Sequence, residues 1–143
     1  MDRLLALVLL STAAAILAML FNRWNPKNPT NPEYSVPQKL DRTDFDKPDS
    51  PWLIVVFSSK DCAACNSVVD AATSLNNQDV TVQEVPLESA KNLHTRYEIG
   101  VIPMLLLADS SGWVQKHLLG PTNLTELQNE FESAKSHFSD DND

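Results

Sequence analysis

The residues best suited to chemistry are two cysteines, Cys62 and Cys65, which are separated by two alanines. They are the only cysteines in the 143-residue chain, too few for a scaffold stapled by several disulfides. A pair at this spacing can exchange a disulfide with another protein, form a fixed structural disulfide, supply part of a metal site, or remain as two buried thiols. The residues around the pair bear on each alternative.

Metal and haem sites find little support in the rest of the sequence. A four-cysteine zinc site is excluded by the cysteine count, and a mixed site would need two histidines at a zinc-like spacing. The three histidines, His94, His117 and His137, match no common pattern. Covalent haem attachment needs a histidine directly after Cys65, where Asn66 stands. We therefore predict no metal and no cofactor. His94 falls on an apolar helix face and His117 is expected to be solvated, so neither is given a role.

A buried strand and a helix must hold the two cysteines. Residues 52–57 form a continuous apolar run rich in β-branched and aromatic side chains, which is typical of a central strand buried on both faces. Apolar residues then recur at helical spacing over residues 64–75. The first N–H groups of a helix carry the positive end of its dipole, which would stabilise a thiolate at Cys62. Cys65 lies one turn further on and is expected to be more buried.

This asymmetry predicts an order of events for a redox pair. Cys62 attacks a substrate disulfide, a mixed disulfide forms, and Cys65 resolves it; the reverse sequence donates a disulfide. A purely structural disulfide remains an alternative, although a loop this small would stabilise the fold little.

Further strands and helices complete an α/β pattern. Apolar residues at alternating, continuous or helical spacing predict four more strands and two more helices. The strands are residues 36–40, 80–85, 104–109 and 113–119, and the helices cover residues 88–99 and 124–138. Strands that alternate with helices indicate a mixed central sheet flanked by helices, with a β-hairpin near its end. Thr122 or Asn123 is expected to cap the last helix, with Glu126 in its first turn.

The residues before the domain have the composition of an anchor and a spacer. Residues 4–21 carry no charge, and as a helix they would be about 27 Å long, close to the thickness of a hydrocarbon core. A cleaved signal peptide is the alternative, but the end of this segment lacks a small-x-small cleavage site. Asn-Pro occurs three times in the segment that follows, which predicts a semi-stiff spacer. We assign residues 1–21 to a single transmembrane anchor, 22–35 to a linker, 36–138 to the folded domain and 139–143 to an acidic tail.

The charge of the chain limits its partners. The formal net charge is −8, which disfavours a nucleic-acid partner. Basic residues lie on both sides of the apolar segment, with Arg3 before it and Arg23 and Lys27 after it. The positive-inside count is nearly balanced and slightly disfavours a domain on the extracytoplasmic side of a membrane.

Three segments resemble the thioredoxin family in their order and spacing. They are PWLIVVFSSKDCAAC, YEIGVIPMLLLADSSG and LLGPTNLTELQNEF, and the match spans residues 36–138. Members of that family carry Cys-x-x-Cys after the first central strand, an apolar-Pro dipeptide before a later strand, a glycine after the hairpin and a C-terminal amphipathic helix. In this chain those places are held by Ile102-Pro103, Gly120 and residues 124–138.

The resemblance implies a thioredoxin-like fold and thiol–disulfide oxidoreductase activity in cell redox homeostasis. The implied partners are protein disulfides or thiols as substrates and a redox partner protein. The implied site is a redox-active Cys62–Cys65 disulfide opposite a cis peptide bond at Pro103, where the backbone of Ile102 can pair with an extended substrate. Tethered members of the family generally face an extracytoplasmic compartment, so the resemblance implies a single-pass membrane protein with an extracytoplasmic domain.

The chain departs from the family pattern around the cysteines. Asp61 replaces a tryptophan, two alanines replace Gly-Pro, and Val56 replaces a buried aspartate. Glu84 stands where the family has a lysine, and it could accept the proton of Cys65 if it is buried nearby; otherwise it is a solvated glutamate at a strand end. These differences leave the direction of exchange open. The alternative from another class is a non-enzymatic adaptor that binds a partner protein at the membrane and keeps a fixed disulfide.

Overall fold

The computed structural model describes residues 34–140, with side chains through Phe138. The predicted anchor at residues 4–21, the linker through residue 33 and the last three residues of the acidic tail lie outside the described residues. The described part of the chain forms four strands and three α-helices. In chain order they are β1 Trp52–Ser58, α1 Cys65–Thr73, β2 Val80–Pro86, α2 Lys91–Arg96, β3 Met104–Ala108, β4 Val114–Leu119 and α3 Leu124–Asp140.

The four strands form one mixed sheet in the order β2–β1–β3–β4. β1 and β2 are parallel, with Ser58 opposite Pro86, and α1 makes the crossover between them. β3 is antiparallel to β1, with Phe57 opposite Met104, and β4 is antiparallel to β3. The predicted mixed α/β sheet flanked by helices is therefore confirmed. The pairing brings the C-terminal ends of β1 and β2 and the start of β3 to the same end of the strands. We call this end of the sheet the cysteine edge; it is distinct from the lateral edges formed by β2 and β4.

Side chains of β1 alternate between two apolar cores, one on each face of the sheet. Ile54 and Val56 pack with α1 and α3, while Val55 and Phe57 pack on the opposite face with Tyr97, which follows α2. All seven residues of β1 are buried, which explains why its sequence is apolar without alternation. The face of the sheet that carries Ile54 and Val56 is called the α1 face below.

The predicted strand at residues 36–40 is wrong. Those residues are irregular apart from a single bridge between Lys39 and Trp113, although the Leu40 amide still donates to the carbonyl of Gly112 (2.7 Å). Pro37 has no N–H to give to a strand ladder, and Asp41 ends the segment by capping a 3₁₀ turn at Arg42–Asp44. The close approach also constrains Gly112, which has a φ of 85°; a Cβ there would lie 2.0 Å from the carbonyl oxygen of Leu40.

Hydrogen bonds from polar side chains attach residues 36–44, which we call the lead-in segment, to the rest of the domain. The hydroxyl of Tyr97 donates to Asp44 Oδ2 (2.5 Å) and accepts from the amide of Asp41 (3.0 Å). Burial, followed by the hydrogen bond to Asp44, raises the pKa of Tyr97 to about 12. The buried guanidinium of Arg42 donates to the carbonyl of Asp109 (2.8 Å). Side chains around the 3₁₀ turn thus hold the segment together with two backbone hydrogen bonds, in which the Leu40 amide donates to Gly112 and the Val114 amide donates to Gln38.

Two asparagine side chains accept hydrogen bonds from backbone amides on the outer side of β2, which is an edge strand. Asn77 Oδ1 accepts from the amide of Val80 (3.1 Å), and Asn76 Oδ1 accepts from the amide of Val82 (3.3 Å). Further along the strand, Pro86 has no N–H to offer. These residues satisfy or remove donors that a strand at the end of a sheet would otherwise present to solvent.

The last helix begins as the sequence predicts. Asn123 Oδ1 accepts from the amide of Glu126 (3.0 Å), and the carboxylate of Glu126 accepts from the hydroxyl of Thr122 (2.8 Å). Leu127, Phe131 and Ala134 then pack on the α1 face. Within residues 34–140, no helix combines the length and the apolar composition needed to cross a membrane.

Candidate functional site

Cys62 and Cys65 are joined by a disulfide, with their Cα atoms 5.4 Å apart. The predicted pairing is therefore present. Cys62 lies in the turn after β1, and its amide donates to the carbonyl of Ser59 (3.2 Å). Helix α1 starts at Cys65, one residue after the start of the helical pattern at residue 64, so Cys62 precedes the helix and is not part of it. The Cys65 amide donates to the carbonyl of Cys62 (3.1 Å), so the two cysteines are linked through the backbone as well as through sulfur.

The two sulfurs have different surroundings. Cys62 is half-exposed, whereas Cys65 is only 2% exposed, as the sequence predicts. Cys62 stands directly before the N-terminal turn of α1, where unpaired N–H groups and the helix dipole favour negative charge. The N-cap residue, Ala64, has no side chain that could satisfy those N–H groups. Cys62 is thus partly exposed and Cys65 lies inside. The helix terminus favours a thiolate at Cys62, and the carboxylate of Asp61 directly before it opposes one.

Ile102 and Pro103 lie at the cysteine edge, directly before β3. Their peptide bond is cis, which agrees with the expectation from the family resemblance. Pro103 is buried and its carbonyl accepts from the amide of Gly120 (3.0 Å), while Ile102 is half-exposed. The sheet register thus brings the predicted substrate-binding dipeptide to the edge that also carries the cysteines.

Glu84 is not the buried proton acceptor that the sequence allows at this position. Glu84 is exposed, and its Oε1 accepts a hydrogen bond from the hydroxyl of Ser58 (2.6 Å). Burial beside Cys65, the condition for a direct role, is therefore not met by Glu84 itself. Glu84 remains open to solvent because β2 is an edge strand of the sheet.

Two more acidic residues lie at the cysteine edge. Asp61 is exposed and directly precedes Cys62. Glu88 accepts from the backbone amide of Lys60 (2.9 Å), and this hydrogen bond lowers the pKa of Glu88. The turn that leads into Cys62 is therefore tied to the residues after β2 by a carboxylate.

Ser58 is a buried polar residue at the cysteine edge that the sequence pattern does not single out. It is the last residue of β1, it is only 1% exposed, and its hydroxyl meets Glu84 on the neighbouring strand. The available signal was the position of a polar residue at the end of an apolar strand, four residues before Cys62. The partner could not be read from the sequence, because it depends on the register between two strands.

The histidines do not join the cysteines. His94 is buried, and its Nε2 lies 2.8 Å from the carbonyl oxygen of Val85, while His117 is exposed on β4. Across residues 34–140, no group of three or more histidine, cysteine, aspartate or glutamate side chains is arranged to hold a metal ion.

Comparisons with known proteins concern the fold alone. No family model matches the chain, and no curated protein matches it. Among 213 matching chains of solved structures, one described as the structure of a malarial protein has a TM-score of 0.53 and 15% sequence identity. The alignment covers 59% of this chain and 98% of the malarial one. At that identity the likeness shows a shared fold and carries no information on activity.

Proposed function

We propose that the chain is a thioredoxin-like thiol–disulfide oxidoreductase tethered to a membrane by its N-terminal segment. The observation that carries the proposal is the disulfide between half-exposed Cys62 and buried Cys65 at the junction of β1 and α1. A reachable sulfur beside the first turn of a helix suits a nucleophile, and an enclosed neighbour suits a resolving thiol. The cis peptide bond before β3, at the same edge of the sheet, supports the same proposal.

The reaction follows from the different exposure of the two sulfurs. In the reducing direction, the Cys62 thiolate attacks a substrate disulfide, and one substrate sulfur leaves as a thiolate. Cys65 then attacks the sulfur of Cys62, the intramolecular disulfide forms, and the second substrate sulfur leaves. Two electrons pass from the dithiol to the substrate. The opposite direction runs through the same mixed disulfide and oxidises a substrate dithiol.

Substrate, partner and location are part of this proposal and rest on the family resemblance. The substrates are protein disulfides or thiols, which would pair with the backbone of Ile102 beside Cys62. A redox partner protein restores the pair after each turnover. Residues 4–21 tether the chain to the membrane, with the domain on the extracytoplasmic side. Reporter fusions at the C-terminus test that topology.

The test uses the full chain in detergent, with insulin as the disulfide substrate and dithiothreitol as the electron donor. We expect the protein to accelerate insulin reduction above the rate with dithiothreitol alone, and Cys62→Ser to abolish the acceleration. Cys65→Ser should accumulate a mixed disulfide through Cys62, since the resolving thiol is gone. The reduction potential of the pair is measured in parallel by thiol trapping in defined redox buffers.

The adaptor alternative predicts a different outcome of the same measurements. A fixed structural disulfide has a reduction potential below roughly −300 mV. A potential in that range without any turnover, together with a Cys65→Ser variant that traps no partner, would contradict the exchange function and favour an adaptor.

A further inference from the structure

The turn that carries Cys62 takes its shape from Ser59. The carbonyl of Ser59 accepts from the amide of Cys62 (3.2 Å), and its hydroxyl accepts from the amide of Asp61 (3.3 Å). Both bonds lie within residues 59–62, which we call the cysteine turn. They fix the shape of the turn, but they do not join it to another part of the domain.

Two hydrogen bonds join the turn and its base to the residues that follow β2. The Leu87 amide donates to the carbonyl of Ser58 (2.9 Å), the residue directly before the turn. The Lys60 amide donates to the carboxylate of Glu88 (2.9 Å), two residues before Cys62. The first bond joins backbone atoms, whereas the second depends on one side chain. Glu88 therefore provides an attachment close to the half-exposed cysteine, and a substitution can remove it.

This attachment matters most when the disulfide is open. In the oxidised protein, Cys62 is held by the disulfide and by the hydrogen bond from the Cys65 amide to its carbonyl (3.1 Å). Cys65 is buried at the start of α1, so the helix sets its position after reduction. The position of Cys62 then depends on how the cysteine turn is held. Closure of the disulfide needs aligned sulfurs, and a small misplacement of reacting atoms slows such a step.

The carboxylate of Glu88 acts as an acceptor and as a charge, with opposite consequences for Cys62. As an acceptor it holds the turn, and the bond from the Lys60 amide is the main cause of the lowered pKa of Glu88. As a charge it adds to that of Asp61 and disfavours a thiolate at Cys62. A glutamine keeps an oxygen acceptor and removes the charge. The two effects can therefore be separated by substitution.

We propose that Glu88 is a positioning residue that keeps Cys62 aligned with Cys65 for closure of the disulfide, an inference that rests on the proposed exchange function. In the closing step, the thiolate of Cys65 attacks the sulfur of Cys62, and the bond between Cys62 and the substrate breaks. The substrate sulfur leaves with the electron pair as a thiolate, so the substrate is reduced and the cysteine pair is oxidised. Glu88 exchanges no proton or electron in this step; it holds the backbone of the cysteine turn.

The test equilibrates the full chain in detergent with reduced and oxidised glutathione, which measures the effective concentration of the two thiols. Glu88→Ala should lower this effective concentration by about fivefold, the factor by which one typical hydrogen bond changes an equilibrium constant. Glu88→Gln should stay within about twofold of the unmodified protein, because its amide oxygen can still accept from the Lys60 amide. Asp70→Ala is the matched control, because Asp70 is an exposed carboxylate on α1 outside the cysteine turn.

Urea unfolding of both redox forms distinguishes positioning from a structural role. Glu88→Ala should lower the unfolding free energy of the oxidised protein by more than that of the reduced protein, because the unattached turn can relax once the disulfide is open. Equal losses in the two forms, with an unchanged effective concentration, would overturn the proposal and leave Glu88 a structural role.

Two other results would also overturn the positioning role. Equal effects of Glu88→Ala and Glu88→Gln on the effective concentration would assign the effect to charge alone. An equal effect of Asp70→Ala would show that any lost carboxylate suffices. None of these results affects the exchange function, which fails separately if the unmodified protein does not accelerate insulin reduction.

Discussion

Replacing Tyr97 by phenylalanine should change how stability depends on alkaline pH. The hydroxyl of Tyr97 is shared between Asp44 Oδ2 and the amide of Asp41, and burial and the Asp44 bond raise its pKa to about 12. A tyrosine in an unfolded chain has a pKa of about 10. The folded state therefore favours the neutral phenol. Its contribution to stability is fully present below pH 10 and is lost as the pH rises through 12.

The magnitude follows from the two pKa values. At pH 11, linkage between folding and ionisation predicts that the unmodified protein has lost about 1 kcal/mol of this contribution. At pH 7, Tyr97→Phe should cost about 1–3 kcal/mol, because a hydrogen bond to a carboxylate is lost and the Asp41 amide loses its acceptor. The stability gap between the two proteins should therefore narrow by about 1 kcal/mol between pH 7 and pH 11.

Urea unfolding followed by circular dichroism at both pH values measures the gap directly. Tyr34→Phe is the matched control for the loss of a phenol hydroxyl, because Tyr34 is half-buried against the same core. A gap for Tyr97→Phe that is equal at pH 7 and pH 11 would refute the argument. It would mean that the phenol is no more reluctant to ionise in the folded protein than in the unfolded chain.

Two further predictions concern the glycines and the disulfide. Gly112→Ala should lower the unfolding free energy by more than Gly120→Ala. Both glycines have a positive φ, which costs alanine about 1–2 kcal/mol. Only at Gly112 would a Cβ also meet the carbonyl oxygen of Leu40. Equal losses in thermal unfolding would contradict the close approach. Reduction of Cys62–Cys65 should cost no more than about 2 kcal/mol, because the closed loop is small; an unfolded reduced chain in denaturant titrations would instead assign the disulfide a structural role.

The order of the helices and strands could be predicted because a buried strand or helix face needs apolar residues at a characteristic spacing. A central strand buried on both faces needs an apolar run such as that of β1, and the cysteines follow it at once. The cis bond at Pro103 was expected from the family resemblance and is found. The capping of α3 by Asn123 was also visible, since such contacts are local in sequence.

Other features depend on contacts between distant segments and could not be predicted. The Ser58–Glu84 bond joins residues 26 apart and exists because β1 and β2 pair in one register. The residues at 36–40 suit a strand, but the structure gives them a single bridge, between Lys39 and Trp113, just before β4. The attachment of the lead-in segment also uses the hydroxyl of Tyr97, 56 residues from Asp41. Strand register and hydrogen bonds between distant side chains leave no periodic pattern in the sequence, so they could not be predicted from it.

Asn76 and Asn77 affect the tendency of the domain to associate with copies of itself through β2. A strand at the end of a sheet is a template on which another chain can add its own strand, the first step of edge-to-edge aggregation. Asn76 and Asn77 occupy the amides of Val82 and Val80, and Pro86 has no amide hydrogen to offer. The domain therefore carries its own protection against self-association through this edge, which matters most where many copies are concentrated on one surface.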